Sequence, residues 1–171
     1  MLERIGRWIA TLNDLTSQRA LQNCVNPVAD RLSCQSHTTA GLVIKAGASP
    51  IVKTGGAIWY GTVQGVPRSI AAATDMAALV GSVSNATFNV FAFFVDVAGV
   101  LTSVMGTAGA TYPAVKFPDV PLGKTMLGYI IVNPTGTGPF VGGTTALDDA
   151  TVAPGVIYVN TLGAVDPTVL L

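Results

Sequence analysis

Phe88-Asn-Val-Phe-Ala-Phe-Phe-Val95, then Asp96-Val-Ala-Gly99, then Val100-Leu-Thr-Ser-Val-Met105 is the stretch on which the fold turns. Four of the chain's six phenylalanines fall in its first seven residues. Eight residues of aromatic and β-branched character suit a strand better than a helix. Asp96-x-x-Gly99 is turn chemistry, because Asp bonds backbone two residues on and Gly takes positive φ. The stretch therefore predicts a β-hairpin. On its first arm Phe91 and Phe93 share one face, and Val90 and Phe94 take the other. A strand apolar on both faces needs cover on both, so this arm is the expected centre of the fold, and none of Phe91, Phe93 and Phe94 carries chemistry.

The composition around it is skewed. The 171 residues are 50% hydrophobic and 11% charged, with a mean hydropathy of +0.55. Soluble chains are typically about 25% charged. The deficit points either to a membrane or to extensive protein–protein contact. A spanning helix needs about 20 apolar residues without charge, and the most apolar run ends at Asp96. The regular ten-residue alternation of a transmembrane barrel is not evident. Glu3, Arg4, Arg7 and Asp14 interrupt any signal-peptide core at the start. The expectation is a β-rich protein made in a cytoplasm, whose apolar surface is covered by protein partners. Nine basic and nine acidic residues balance, without the clustered basic face that nucleic acid requires.

Read in order, the chain divides near residue 37. Leu2, Ile5, Trp8, Ile9, Leu12 and Leu15 form an apolar arc of about 140° on a helix over residues 2–22. Asn26-Pro27 is expected to end any continuation, leaving residues 23–41 as a connector. Residues 1–35 hold seven charges, whereas the 126 residues from Ala46 on hold ten. This break separates an N-terminal helical arm and connector (1–37) from a β-domain (38–171). In the β-domain, Leu42–Ile44, Ile51–Lys53 and Ala57–Val63 read as short strands. Turn residues separate them every eight to twelve positions, the pattern of an antiparallel sandwich or barrel. Thr74-Asp75 followed by Met76–Val80 reads as a capped two-turn helix stopped by Gly81. Met126–Val132 is the second strongest strand, and Val156–Val159 the last.

Chemistry is sparse. Gly123-Lys124-Thr125 suggests a phosphate loop, but the motif needs Gly at position 118, where this chain has proline. Cys24, Cys34 and the single histidine, His37, lack finger spacing and a fourth ligand. His37 is also poorly placed as a base for a Ser or Cys nucleophile. Asp148-Asp149 pairs carboxylates beside a glycine loop and reads as a solvated turn before a calcium site. Trp59-Tyr60 is a formal sugar platform, though alternation sends one ring inward. The expectation is no enzyme, no cofactor and no metal.

Several segments resemble the small, abundant structural proteins of tailed-bacteriophage virions. They are Gly41–Gly47, Asp75–Gly81, Phe88–Gly99 and, above all, Phe117-Pro-Asp-Val-Pro-Leu-Gly-Lys-Thr-Met-Leu-Gly-Tyr-Ile-Ile-Val132. The last carries a P-x-x-P-x-G-K-x-x-x-G step into a strand. It is followed by the Thr- and Gly-rich loop Thr135–Thr145 and by Thr144–Asp148. The likeness spans roughly residues 40–165. It implies a virion protein that decorates and cements the capsid, with a head-fibre or tail subunit as the nearby alternative. A carbohydrate-binding module using Trp59, Tyr60 or Tyr158 is the alternative of another class. The implied partners are the major capsid protein, or another virion protein, and further copies of the chain as trimer or dimer. No nucleic acid and no membrane are expected. Leu2, Ile5, Trp8, Ile9, Leu12 and Leu15 are the expected partner-binding residues, with Trp8 as anchor.

Overall fold

Strand Asn89–Asp96 lies at the centre of a four-stranded antiparallel sheet and is buried on both faces from Asn89 to Val95. The computed structural model describes residues 15–135 and 137–164, without the side chains of Leu15, Thr16, Ser17 and Cys24. Among the described residues a helix, α1 (Leu15–Ser33), comes first. Strands follow as β1 (Gln35–Ser36), β2 (Val43–Ile44), β3 (Val52–Lys53), β4 (Trp59–Val63), β5 (Val66–Ile70), β6 (Ser82–Val83), β7 (Asn89–Asp96), β8 (Leu101–Met105), β9 (Lys124–Val132), β10 (Phe140–Val141) and β11 (Ile157–Asn160). The main sheet runs β11-β9-β7-β8. Smaller antiparallel sheets, β1-β4-β5, β2-β3 and β10-β6, accompany it without closing a barrel. The protein is mainly β, antiparallel and sandwich-like, as expected.

The predicted hairpin is β7–β8. Asp96 Oδ1 accepts from the amides of Ala98 and Val100, each at 2.9 Å. Gly99 takes φ +85° and donates to the Asp96 carbonyl at 2.9 Å. The two faces of β7 feed two cores. Phe91, Phe93 and Val95 join Leu127, Ile130, Trp59 and Phe140 on one side. Val90, Ala92 and Phe94 meet Met126, Tyr129 and Ile131 on the other, beneath Val115 and the flanking Phe117 and Val120. The second core is roofed by the segment that follows β8. The Phe117 ring stands edge-on to Tyr129, with centroids 5.0 Å apart.

A β-bulge in β9 lets both cores use that strand. Phe93 faces Gly128 and Phe94 faces Met126, so Leu127 is the extra residue. The insertion reverses the side-chain alternation. Leu127, Ile130 and Val132 therefore share one core, while Met126, Tyr129 and Ile131 share the other. Gly128 has φ +155°, and a Cβ there would stand 2.4 Å from the Val159 carbonyl oxygen.

Two expected elements are corrected. Asn26-Pro27 does not end the first helix, which runs through Pro27 to Ser33. An interior proline costs about 3 kcal/mol. The helix is re-anchored one turn later, where the Asp30 carboxylate accepts from the Gly123 amide at 3.0 Å. Met76–Val80 is not helical. The Ala73 amide donates to the Gly55 carbonyl at 2.9 Å and the Met76 amide to the Val52 carbonyl at 2.8 Å, so the segment lies beside β3 with Met76 and Leu79 buried. Asp75, expected to cap a helix, pairs with Lys45 instead. Sheet pairing satisfied these amides where local propensity favoured a turn of helix.

Candidate interaction surface

α1 stands off the β-domain. Residues 18–23 and 25–29 are exposed around the whole circumference, and only its last turn is partly buried. That last turn is a root. Besides the Asp30–Gly123 bond, the Gly65 amide donates to the Ser33 carbonyl at 2.8 Å, and Gln35 Nε2 donates to the Leu32 carbonyl at 2.9 Å. β1 then locks the chain into the body. Gln35 and Ser36 pair with Thr62 and Gly61, and the buried Ser36 Oγ donates to the Met126 carbonyl at 2.7 Å. The β-structure thus starts at Gln35, inside the stretch read as connector.

The Gly123-Lys124-Thr125 step is the socket for this root. The Gly123 amide holds Asp30, Lys124 Nζ donates to Thr102 Oγ1 at 3.1 Å, and Thr125 Oγ1 donates to the Thr62 carbonyl at 2.6 Å. Gly123 is at φ +72°, and a Cβ would come within 2.3 Å of Gln64 Nε2. All three residues serve architecture. A cleft at the same place, lined by Arg31, Cys34, Val120, Lys124, Met126 and Gly163, measures about 10 Å³, the size of one water.

Along α1 the apolar side chains Leu21, Val25, Val28 and Leu32 are 63%, 51%, 58% and 63% exposed. Their spacing of four, three and four residues keeps them on one face, away from Pro27. This stripe was missed in the sequence because the helix was expected to stop at Asn26. Of the six expected partner-binding residues, Leu2, Ile5, Trp8, Ile9 and Leu12 lie outside the described residues, and Leu15 is described in its backbone alone.

The other candidates are dispersed. Cys34 is a free, buried thiol that accepts from the Gln64 amide at 3.3 Å, whereas His37 is exposed. Among the described residues no group of His, Cys, Asp and Glu is arranged to hold a metal. Both Asp148 oxygens accept from the Ala48 amide at 3.0 Å. Asp149 Oδ1 accepts from Thr151 Oγ1 at 2.6 Å, from the Thr151 amide at 2.8 Å and from the Val152 amide at 3.2 Å. Those bonds hold the Asp149 carboxyl below the usual carboxylate range. Trp59 is fully buried, with Nε1 donating to Ser36 Oγ at 3.3 Å, while Tyr60 points outward. Trp59 is therefore unavailable as a stacking surface. Among the described residues no helix is long and apolar enough to cross a membrane. No family model matches the chain, and neither a curated protein nor a solved structure does.

Proposed function

We propose that this chain is a structural subunit of a tailed-phage virion, a decoration protein that binds the capsid surface and cements it. The observation that carries this reading is the helix: it is rooted in the β-body by its last turn and exposed on every side over residues 18–23 and 25–29. An isolated helix of this length is marginal in water, so its place is in an assembly. The resemblance of the Phe117–Val132 step to phage virion proteins supplies the class of assembly. In this reading Leu2, Ile5, Trp8, Ile9, Leu12 and Leu15 dock on the major capsid protein or a neighbouring virion protein, as a helix laid in a groove. The β-domain is the displayed body. The mechanism is mass action: a protein that binds the assembled shell and not its free subunits stabilises the shell by RT ln(1 + L/Kd) per site, with L its free concentration. A stalk-and-head subunit of a head fibre is the second reading, favoured by the standing helix.

Purified particles that carry the chain test this directly. Decoration requires the chain at a fixed high copy number on the shell in mass spectrometry and cryo-imaging. Adding the full chain to depleted shells raises their rupture temperature. Trp8→Ala weakens that binding by about 30-fold, as expected for a hot-spot residue worth about 2 kcal/mol. Particles with the chain confined to fibres support the second reading, and particles without it refute both.

A further inference from the structure

We infer that the outer edge of β8 is a β-augmentation site, which takes an extended, uncharged segment of a shell protein as a further strand of the main sheet. The inference rests on the shell-binding reading above and names an element of the β-body that takes part in it. β8 stands last in the sheet order β11-β9-β7-β8. The Asp96 amide donates to the Val100 carbonyl at 3.1 Å, and the Gly106 amide to the Val90 carbonyl at 2.8 Å. These bonds set the phase of the ladder. Thr102 and Val104 bond to β7, while the N–H and C=O groups of Leu101, Ser103 and Met105 point away from it. Among the described residues no segment pairs with those groups. The chain's own pairing stops one step short. Thr107, next in the outward series, exchanges both backbone bonds with Lys116, at 2.9 and 3.1 Å. The same register brings Pro118 opposite Met105, and proline has no N–H to give.

An open edge is a template for another strand, and proteins blunt the edges they leave free with charge or proline. β5, at the edge of its own sheet, carries Pro67 and Arg68. Leu101-Thr-Ser-Val-Met105 carries neither. Its surroundings fix the occupant. On one face the segment after β5 leans on it: Ser103 Oγ donates to the Ala78 carbonyl at 2.7 Å, and a Cβ on Gly81 would stand 2.6 Å from Met105 Sδ. Val80, between those two contacts, is 75% exposed. On the other face Lys124 Nζ bonds Thr102 Oγ1, and Val104 packs in the second core with Phe117 and Val120. β8 thus lies recessed between the two, with all five residues half-buried. A copy of this chain brings the same recessed edge, and two recessed edges do not meet, whereas a single free strand enters. Three outward positions spaced by two match a strand of about five residues. With Val80 and Val100 exposed beside the edge and no charge on β8, the fitting segment is uncharged and apolar on its Val80 face. Its main chain supplies the bonds and its alternate side chains the selectivity.

Hydrogen exchange read by mass spectrometry, on the full chain free and bound to depleted shells, tests the inference. In the free chain the amides of Leu101, Ser103 and Met105 are expected to exchange fast while those of Thr102 and Val104 are protected. On shells the three outward amides are expected to slow by about tenfold or more, as a hydrogen bond to each requires. Ser103→Pro removes one outward amide and keeps the bonds of Thr102 and Val104 to β7, since an edge strand tolerates proline; shell binding is expected to weaken about tenfold. Ser103→Ala loses the hydroxyl bond to Ala78 but keeps the amide, and is expected to bind as the parent does. Should Ser103→Pro lose its near-UV circular dichroism, exchange on the parent chain decides alone. Outward amides already slow in the free chain overturn the inference, because the edge is then filled by the chain itself or by a copy. A chain that binds shells with those amides still fast overturns it too and leaves the shell-binding reading standing. A chain that binds no shell overturns both.

Discussion

Replacing Phe91 with alanine tests the central claim that β7 organises the fold. Phe91 is fully buried, opposite Ile130 on β9 and Met105 on β8. Its ring meets Phe140 edge-on, with centroids 6.0 Å apart. Truncation removes the transfer free energy of the ring and leaves a cavity, together about 3–5 kcal/mol. The lost aromatic contact places this site in the upper half of that range, because such pairs add about 0.5–1.5 kcal/mol beyond burial. A domain of this size is stable by about 5–15 kcal/mol, so about a quarter or more of its stability goes. At about 2–4 °C per kcal/mol for chains of this length, Tm falls by roughly 10–20 °C. Thermal and urea unfolding measure it, with the urea m-value unchanged if the native state keeps its compactness. Val100→Ala, at a half-exposed position in the β7–β8 turn, should shift Tm by little. A Phe91→Ala protein melting within about 4 °C of the parent would refute the placement of this strand at the centre of the core.

Gly128→Ala should cost roughly 1–3 kcal/mol, since the new methyl overlaps the Val159 carbonyl and Leu42, while Gly56→Ala, with open space around it, should be near neutral; equal Tm values for the two would remove the bulge argument. Asp30→Ala should lower Tm by a few degrees, for about 1 kcal/mol of part-buried, charge-assisted hydrogen bonding to the Gly123 amide, and should speed amide exchange in the last turn of α1; unchanged exchange there would mean the root is held by other bonds. Burial raises the Tyr129 phenol pKa, with the Tyr112 charge adding to it, and burial raises that of Tyr158, with Asp148 adding. Unfolded tyrosines ionise near pH 10, so the stability these residues contribute is complete below that pH and is lost as pH rises toward their folded values. Melting curves from pH 8 to 11.5 should fall above about pH 10, and less steeply in Tyr129→Phe and Tyr158→Phe; a flat profile would contradict the burial of these rings.

The parts legible in the sequence were those where local chemistry and tertiary environment agree. Phe91, Phe93 and Phe94 form an apolar run with one available solution, a strand covered on both sides, and Asp96-x-x-Gly99 has the turn chemistry the hairpin uses. The parts missed were those decided at a distance. Val66–Ile70 carries Pro67, Arg68 and Ser69 and lacks a strand pattern, yet it pairs with β4 as an edge strand, where proline is tolerated. Its turn, Gln64-Gly65, holds φ +52° and +74°, the two positive values of a tight hairpin turn. Met76–Val80 has helical propensity, but the carbonyls of Val52 and Gly55 on and beside β3 claim the neighbouring amides. Pro27 argued against a continuing helix, and nothing in the sequence near it announces that Asp30 is held by Gly123, ninety-three residues away. Of the candidate interaction surface, the stripe Leu21–Leu32 was hidden by that same proline, and the expected residues Leu2, Ile5, Trp8, Ile9 and Leu12 lie outside the described residues.

The unusual composition now divides into two parts with different consequences. A chain 50% hydrophobic and 11% charged invites the argument that the β-domain has more apolar surface than it can hide. Yet both faces of β7 and β9 are covered within one chain, one by the smaller sheets and the other by the segment between β8 and β9. Covering both faces of a sheet consumes apolar residues that a half-solvated sheet would replace with polar ones, and this accounts for much of the missing charge without any partner. Large apolar side chains remain exposed on both parts of the chain: Leu21, Val25, Val28 and Leu32 on α1, and Val80, Val100, Leu122, Ile157 and Leu162 on the β-body, are each more than half exposed. Mutations in the β7 cores should therefore act on folding, whereas Val25→Ser and Val28→Ser, at exposed positions of α1, should leave the β-body folded, as near-UV circular dichroism would show.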